Sequence, residues 1–297
     1  MTEKMNIGVL GTGLMGKPLA QRLLQANLSV TVYNRTFSQV VELQSMGANL
    51  AKTPLEAIQL SNVLILMLTD ANAIREVILS TESASALQNR TVIQMGTIAP
   101  DESRTIQQEV QARGGDYLEA PVLGSIPEAK AGTLLVMVGA RKSQFEEWKG
   151  LLQHFGEQPQ HIGEVGTASA LKLALNQLIA ALTSGFALSL GLIERQGVDV
   201  DKFMAILRES ALYAPTFDKK LDRMKQRNFD NPNFPTKHLL KDVDLFLSQA
   251  EENGLNTQGL KGVRGLIQKT IALGLSDSDY SALFSAIHQE EHDNIIH

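Results

Sequence analysis

The sequence predicts an α/β N-terminal domain with a doubly wound sheet, followed by an all-α C-terminal domain, the two joined by a long helix. Strand-like and helix-like segments alternate through the first half, and no convincing strand follows Gly166. Such alternation is typical of a parallel sheet covered by helices on both faces. The 297 residues suit two domains better than one. We expect the first domain to span residues 1–163 and the second to span residues 164–297.

Six segments of the first half are short and rich in Val, Ile and Leu, as buried parallel strands are. They are Asn6–Leu10, Ser29–Tyr33, Val63–Leu68, Thr91–Met95, Tyr117–Ala120 and Leu134–Val138. Between them, the start and stop signals of helices predict Gln39–Met46, a helix opened by the capping-box pattern Thr53-Pro54-Leu55-Glu56, and Asp101–Ala112.

The second half is read as helices throughout. A long helix is predicted over Thr167–Gln196, ending at Gly197, and the later segments are Asp201–Ser210, Pro215–Arg227, Thr236–Asn253, Gln258–Leu273 and Asp279–His288. Within the long helix, Leu173–Ile193 carries no charge and has the length of a membrane span. Its internal polar residues and the lysine at its start favour the buried helix of a soluble protein, with no membrane partner.

Composition narrows the classes of function. The net charge of −5 argues against a nucleic-acid partner, because nucleic-acid-binding surfaces are usually strongly basic. The chain has no cysteine, which fits a reducing compartment. The N-terminal segment MTEKMNIGVL is too short an apolar run for a signal peptide. We therefore expect a cytoplasmic protein.

A glycine-rich loop follows the first predicted strand and opens a helix. In Gly11-Thr12-Gly13-Leu14-Met15-Gly16, the first glycine permits a tight turn, the second lets a pyrophosphate approach the backbone, and the third lets the helix pack on the strand. The helix N-terminus adds free N–H groups for the phosphates. This context predicts a Rossmann-type dinucleotide site that includes Leu14 and Met15.

The end of the second strand indicates which dinucleotide binds. An NAD site usually places an acidic residue there, but this chain has Asn34, Arg35 and Thr36. A guanidinium is suited to a 2′-phosphate, and Asn34 carries no charge to repel one. The residues therefore favour NADP(H) over NAD, while an arginine that merely faces solvent remains the alternative.

Lys172 and Asn176 are four residues apart on the long predicted helix and share one face. A lysine at this point could protonate the oxygen of a carbonyl that receives hydride, and Asn176 could align the lysine or the substrate hydroxyl. Spacing alone leaves open a solvated surface lysine.

Four ordered blocks make the chain resemble the β-hydroxyacid dehydrogenase family over nearly its whole length. They are IGVLGTGLMGKPLAQRLL, EAPVLGSIPEAKAGTLLVMVG, GTASALKLALN and FPTKHLLKDVDL. The fourth block, together with the arginine after the second strand, is most similar to the glyoxylate and succinic semialdehyde reductase branch.

The resemblance implies roles for matching positions. Lys172 would be the proton donor and Asn176 its companion. The substrate site would include Gly124, Ser125, Phe234 and Asp242, with the first two binding a carboxylate. The cofactor would also be contacted by Leu68, Thr69, Thr97 and Lys241. No metal is implied.

The chain departs from the family at three positions near these residues. Leu123 stands where serine is common, Gly96-Thr97 stands where Ser-Thr is usual, and Leu175 replaces an asparagine seen in some relatives. The expected function is NADPH-dependent reduction of a small carbonyl acid. The alternatives are an NAD(P)-dependent 3-hydroxyisobutyrate-type dehydrogenase, an imine reductase, whose relatives generally lack the lysine, and a non-catalytic NADP-binding protein.

Two further expectations concern metal and assembly. The string His288-Gln289-Glu290-Glu291-His292 matches a zinc-protease pattern but lies at the chain end without other ligands, so we interpret it as chance. The uncharged helix needs a partner surface, which predicts a homodimer or homotetramer.

Overall fold

The structure is a computed structural model that describes residues 5–289 of the chain. It divides into two compact units after Lys172. The first holds the sheet with its helices, and the second is helical, which confirms the predicted fold class.

Nine strands form one sheet in the first unit, in the order β3-β2-β1-β4-β5-β6-β8-β7, with β9 paired to β8. The strands are β1 (Asn6–Leu10), β2 (Ser29–Tyr33), β3 (Asn49–Leu50), β4 (Val63–Leu66), β5 (Thr91–Gln94), β6 (Asp116–Glu119), β7 (Val122–Leu123), β8 (Leu135–Gly139) and β9 (Gln160–Gly163). β1 to β6 pair in parallel, whereas β8 runs antiparallel to both β6 and β7. The carboxyl ends of the parallel strands therefore share one edge, where ligands bind in such sheets.

Helices cover both faces of this sheet. They are α1 (Gly16–Gln25), α2 (Ser38–Gln44), α3 (Pro54–Gln59), α4 (Ala71–Ile78), α5 (Pro100–Gln111), α6 (Ile126–Ala131) and α7 (Lys142–Leu152). Strand β4 shows why a layer of helices is needed on each face of the sheet. Val63 and Ile65 pack into one core and Leu64 and Leu66 into the other, and all four are fully buried.

The sequence did not predict β3, β7 or β9, and it did not predict the antiparallel pairing of β8. β3 and β7 have two residues each, too few for a periodic pattern, and β9 is largely exposed. At α3, Thr53 caps the helix as predicted by accepting from the N–H of Glu56. The Glu56 carboxylate, however, accepts from the N–H of Lys52 instead of the capping residue itself.

Helix α8 (Thr167–Arg195) is continuous over 29 residues and passes from the first unit into the second. By length and composition alone it is apolar enough to cross a membrane, with 44% of its most apolar stretch buried. Buried core helices of soluble proteins meet the same description.

The remaining helices of the second unit are α9 (Val200–Glu209), α10 (Pro215–Lys225), α11 (Thr236–Glu252), α12 (Gln258–Ala272) and α13 (Leu283–Ile287). The prediction of a single helix over Asp279–His288 is wrong for its first turn. A 3-10 turn, Tyr280–Ala282, precedes α13 because the buried Asp279 carboxylate accepts from the N–H of Ser281 and holds that turn tight.

Candidate functional site

The glycine loop leaves β1 at the carboxyl edge of the sheet. Gly11 has a φ of +95°, and its N–H donates to the carbonyl of Tyr33 over 2.9 Å. A Cβ at Gly11 would overlap the Met67 carbonyl, and one at Gly16 would overlap the Gly11 carbonyl. A Cβ at Gly13, in contrast, would meet nothing within 4 Å. The first and third glycines are thus required by the fold, whereas the second leaves open space in front of the backbone.

The start of α1 offers donors beside that space. Its N-cap residue, Met15, makes no side-chain hydrogen bond to the first turn, and Leu14 is 46% exposed. The hydroxyl of Thr12 is buried and has no hydrogen-bond partner among the described residues. An uncapped helix N-terminus behind a glycine with open space fits the pyrophosphate of a dinucleotide.

The three residues after β2, Asn34, Arg35 and Thr36, differ in the contacts that they make. The Asn34 amide oxygen accepts from the N–H of Thr12 over 3.1 Å, and its nitrogen donates to the carbonyl of Thr36. Asn34 therefore ties the end of β2 to the glycine loop. Arg35 is exposed and makes no hydrogen bond or ion pair with the described residues. Its charge stays available to an anionic group.

The ends of β4 and β5 approach each other closely. A Cβ at Gly96 would lie 2.5 Å from the Leu68 carbonyl, so glycine at this position has a steric cause. The Gln94 side chain bonds both backbone groups of Gly96, which holds the loop to Thr97 in place. Thr69 lies exposed on the companion loop after β4. Leu68, Thr69 and Thr97 thus belong to adjacent loops on the ligand-binding edge.

The turn between β7 and α6 contains Gly124 and Ser125. Gly124 has a φ of +136° and is exposed. Both donors of Ser125 point at one carboxylate: its N–H lies 2.9 Å and its hydroxyl 2.7 Å from Oε2 of Glu128. Leu123, the departure noted above, lies in β7 opposite Leu135. A substrate carboxylate would have to replace Glu128 on these donors.

Lys172 and Asn176 lie on successive turns of α8, and both are buried. The Asn176 amide donates to Oδ2 of Asp242 over 2.6 Å, and the Lys241 ammonium lies 3.0 Å from Oδ1 of the same carboxylate. The Asn176 carbonyl oxygen has no hydrogen-bond partner among the described residues. Asp242 therefore orients the amide so that a buried acceptor remains for a hydroxyl or ammonium donor.

Phe234 precedes α11 and packs into the helical core. Its ring lies 5.9 Å from that of Tyr280, edge to face, and stacks 6.5 Å from that of His238. Burial, followed by the nearby charges of Lys241 and Lys237, lowers the pKa of His238. His238 is therefore a neutral ring beside the Lys241 and Asp242 pair at neutral pH.

Within each unit, the structure brings together residues that the sequence predicted separately. In the first unit these are the residues of the glycine loop and of the strand ends, and in the second they are Asn176, Lys241 and Asp242. Sequence reasoning missed Glu119 and Glu128. The pattern Ser125-Ile126-Pro127-Glu128 is a recognisable capping box, whereas Glu119 is the last residue of a buried strand and carries no local signal of its partners. The His288–His292 string lies partly outside the described residues.

Comparison with known proteins agrees with this arrangement. A family model described as the NAD binding domain of 6-phosphogluconate dehydrogenase matches residues 6–163, and one described as NAD-binding of NADP-dependent 3-hydroxyisobutyrate dehydrogenase matches residues 166–287. The chain is thus an NAD(P)-dependent oxidoreductase of the hydroxyacid dehydrogenase type.

Curated relatives narrow the class further. Glyoxylate/succinic semialdehyde reductase 1 of Arabidopsis thaliana is 31% identical over 285 residues, which cover 95% of this chain and 98% of that protein. The chloroplastic reductase 2 of the same plant is 30% identical over 284 residues, covering 95% and 79%. The solved 3-hydroxyisobutyrate dehydrogenase of Mycobacterium tuberculosis shares the fold, with a TM-score of 0.85 at 22% identity and coverage of 95% and 99%. The chain belongs to the β-hydroxyacid dehydrogenase family and is 3-hydroxyisobutyrate-dehydrogenase-like.

Proposed function

We propose that this protein is an NADPH-dependent reductase of small carbonyl acids of the glyoxylate or succinic semialdehyde type. The full-length likeness to a plant reductase of those acids carries the proposal. The buried Lys172 and Asn176 of α8 support it, because reduction of a carbonyl needs a proton donor at the oxygen.

The preference for NADP(H) rests on the residues after β2. Arg35 is a free, exposed cation among the described residues, and neither Asn34 nor Thr36 carries a negative charge. A guanidinium binds a phosphate through paired hydrogen bonds, whereas it gains little from a ribose hydroxyl. The second family description, which names an NADP-dependent enzyme, supports the same choice.

A nicotinamide cofactor held by the glycine loop and the strand ends would supply a hydride for the carbonyl carbon. As the C=O bond becomes a single bond, the oxygen takes a proton from the Lys172 ammonium, which is left as a neutral amine and recovers a proton from water. The Asn176 carbonyl, held by Asp242, accepts a hydrogen bond from the new hydroxyl or from the lysine. The Gly124–Ser125 turn holds the substrate carboxylate after Glu128 leaves its donors.

Turnover tests the proposal directly. We expect NADPH oxidation, followed at the absorbance band of the reduced nicotinamide, with both glyoxylate and succinic semialdehyde, and slower oxidation of NADH. Absence of turnover with both acids and both cofactors contradicts the proposed reaction and leaves the family assignment intact.

One substitution tests the preference for NADPH over NADH. Arg35→Ala is expected to raise KM for NADPH by roughly tenfold, about 1.4 kcal/mol, because the charge-assisted bonds to the 2′-phosphate are lost. KM for NADH should stay the same, since that cofactor has no such phosphate. An equal rise for both cofactors contradicts the assignment of Arg35 as the phosphate ligand.

A second candidate is the oxidation of a 3-hydroxyisobutyrate-type hydroxy acid by the same residues in the reverse direction. The description of the model matching residues 166–287 favours it. It predicts faster reduction of NADP by 3-hydroxyisobutyrate than oxidation of NADPH by either aldehyde acid at neutral pH.

We also propose that the chain forms a homodimer through α8. Leu178, Leu182, Leu188 and Leu192 are between 39% and 64% exposed on this helix, an unusual amount of apolar surface for one element. A monomeric mass by light scattering at micromolar concentration contradicts this assembly.

A further inference from the structure

Glu119 is the last residue of β6 and is fully buried. Its carboxylate accepts five hydrogen bonds. Oε1 accepts from the N–H groups of Gly166, Ala168 and Ser169 at 2.8, 2.9 and 3.0 Å, and Oε2 accepts from the hydroxyls of Ser169 and Ser103. Three of these donors are backbone groups at the very start of α8.

The surroundings of Glu119 are built to hold this carboxylate. Gly139 faces it across the sheet, and a Cβ at Gly139 would overlap its oxygens. The Tyr117 hydroxyl lies 2.8 Å from the Ser103 hydroxyl, and because Ser103 donates to Glu119, Tyr117 donates to Ser103. Burial raises the pKa of Tyr117, so this hydroxyl keeps its proton and its direction in the chain of bonds.

The turn before α8 also restrains the start of the helix. Gly166 adopts a φ of +99°, which an L side chain rarely adopts, so glycine is favoured at this position. The first turn of α8 thus begins at a glycine in a restricted backbone conformation and is held by Glu119. Lys172 follows Ser169 by three residues on the same helix face.

We propose that Glu119 is a positioning residue for the reduction: it fixes the first turn of α8 to the end of β6, and thereby fixes where the Lys172 ammonium delivers its proton. The carboxylate itself does not touch the reacting atoms. This inference rests on the proposed role of Lys172. A helix start anchored by a buried carboxylate differs from an ordinary cap because the anchor lies 47 to 50 residues away in sequence.

The test compares Glu119→Asp, which withdraws the carboxylate by one methylene, with Glu119→Gln, which keeps the length. Thr270→Val is the matched control, because it also removes a buried side-chain hydrogen bond, that of the Thr270 hydroxyl to the Leu266 carbonyl in α12, away from Glu119.

In Glu119→Asp, kcat with succinic semialdehyde is expected to fall roughly 10- to 100-fold, since displacement of a catalytic group by about 1 Å can cost that much. KM for NADPH should stay within about twofold of the wild-type value, because the hydrogen-bond partners of Glu119 lie outside the glycine loop and outside the residues after β2. The primary deuterium isotope effect from deuterated NADPH should rise, because the chemical step becomes slower than product release. Glu119→Gln should lose less activity than Glu119→Asp, and Thr270→Val should keep the wild-type kcat despite its lost buried hydrogen bond.

A kcat in Glu119→Asp equal to the wild-type value, or a loss equal to that of Thr270→Val, overturns the inference. Hydrogen exchange of the amides of Gly166, Ala168 and Ser169 supplies a readout independent of activity, and we expect faster exchange in Glu119→Gln than in the wild type. Unchanged exchange overturns the inference even if Glu119→Asp fails to fold. A wild-type chain without turnover contradicts the proposed reaction alone, since the exchange measurement still decides whether Glu119 holds this turn.

Discussion

The two units hold buried carboxylates in opposite ways. In the sheet unit, Glu119 is surrounded by neutral donors and makes no ion pair with the described residues. In the helical unit, Asp279 pairs with the Lys220 ammonium at 2.8 and 2.9 Å, and both are buried. Both carboxylates join segments far apart in sequence, but Glu119 does so through neutral donors and Asp279 does so through a cation. In the first unit, close backbone contacts at glycines leave no room for added atoms, whereas in the second the buried ion pair makes the loss of one partner costly.

The largest effect is expected at Lys172, where the two units meet in sequence. Lys172→Ala should lower kcat by about 10²- to 10⁴-fold, because no other group then protonates the carbonyl oxygen. Lys172→Arg should fail almost as badly, since a guanidinium keeps its charge but does not release its proton. NADPH binding, measured by fluorescence titration, should persist in both. Lys142→Ala, at an exposed position, serves as the control, and retained turnover in Lys172→Ala contradicts the assignment.

Gly16 and Gly13 lie in the same loop, but we expect substitution of the first to affect stability and substitution of the second to affect cofactor binding. Gly16→Ala should destabilise the protein by about 1–3 kcal/mol or more, because its Cβ would overlap a backbone carbonyl that cannot move aside. Gly13→Ala should change the free energy of unfolding by about 0.5 kcal/mol or less, yet raise the Kd for NADPH roughly tenfold. Urea unfolding and cofactor titration of both variants check this. Unimpaired NADPH binding in Gly13→Ala would place the pyrophosphate elsewhere.

In the helical unit, we expect the loss of one partner of a buried ion pair to lower the stability of the protein. Lys220→Met leaves the Asp279 carboxylate buried without its cation and should cost about 3–5 kcal/mol of unfolding free energy. Burial lowers the pKa of Lys220 and the Asp279 carboxylate raises it, so the ammonium depends on this partner. Arg208→Met, which breaks an exposed pair with Asp218, should cost far less. Equal losses in the two variants, by urea unfolding, would remove the contrast between buried and exposed pairs.

The smallest effect concerns the substrate turn. Glu128→Ala frees both donors of Ser125 and should lower KM for succinic semialdehyde by roughly threefold, the scale of one hydrogen bond. KM for butanal, which lacks the carboxylate, should stay constant. A parallel change for both substrates would mean that Glu128 acts on the fold of α6 and not on recognition of the acid.

Much of the sheet unit was predictable because its signals are local. The five predicted strands that pair in parallel, the glycine loop and the helix ends each occupy a few neighbouring residues. The observed bounds of β1 and β2 equal the predicted ones. The short strands β3 and β7 and the antiparallel direction of β8 were not predictable, because their pairing depends on segments far along the chain.

The residues of the candidate site differ in the same way. The glycine loop and Arg35 were found from residue type and short spacing. The roles of Lys172 and Asn176 came from the resemblance to the family, because their spacing alone left a solvated surface lysine open. Glu119, the Asp242 bond to Asn176, and the Glu128 contact with Ser125 were not predicted.

By itself, the sequence determined the fold class, the dinucleotide loop and the family, since strand composition, helix periodicity and glycine spacing are local properties of the chain. Only the tertiary structure decided which buried polar groups face one another: that Glu119 anchors the start of α8, that Asp242 orients Asn176, and that Lys220 accompanies Asp279. The physical reason is that a buried polar group needs a hydrogen-bond partner nearby in space, and that partner can lie far away in sequence. The separation is 47 residues for Glu119 and Gly166, 66 for Asn176 and Asp242, and 59 for Lys220 and Asp279.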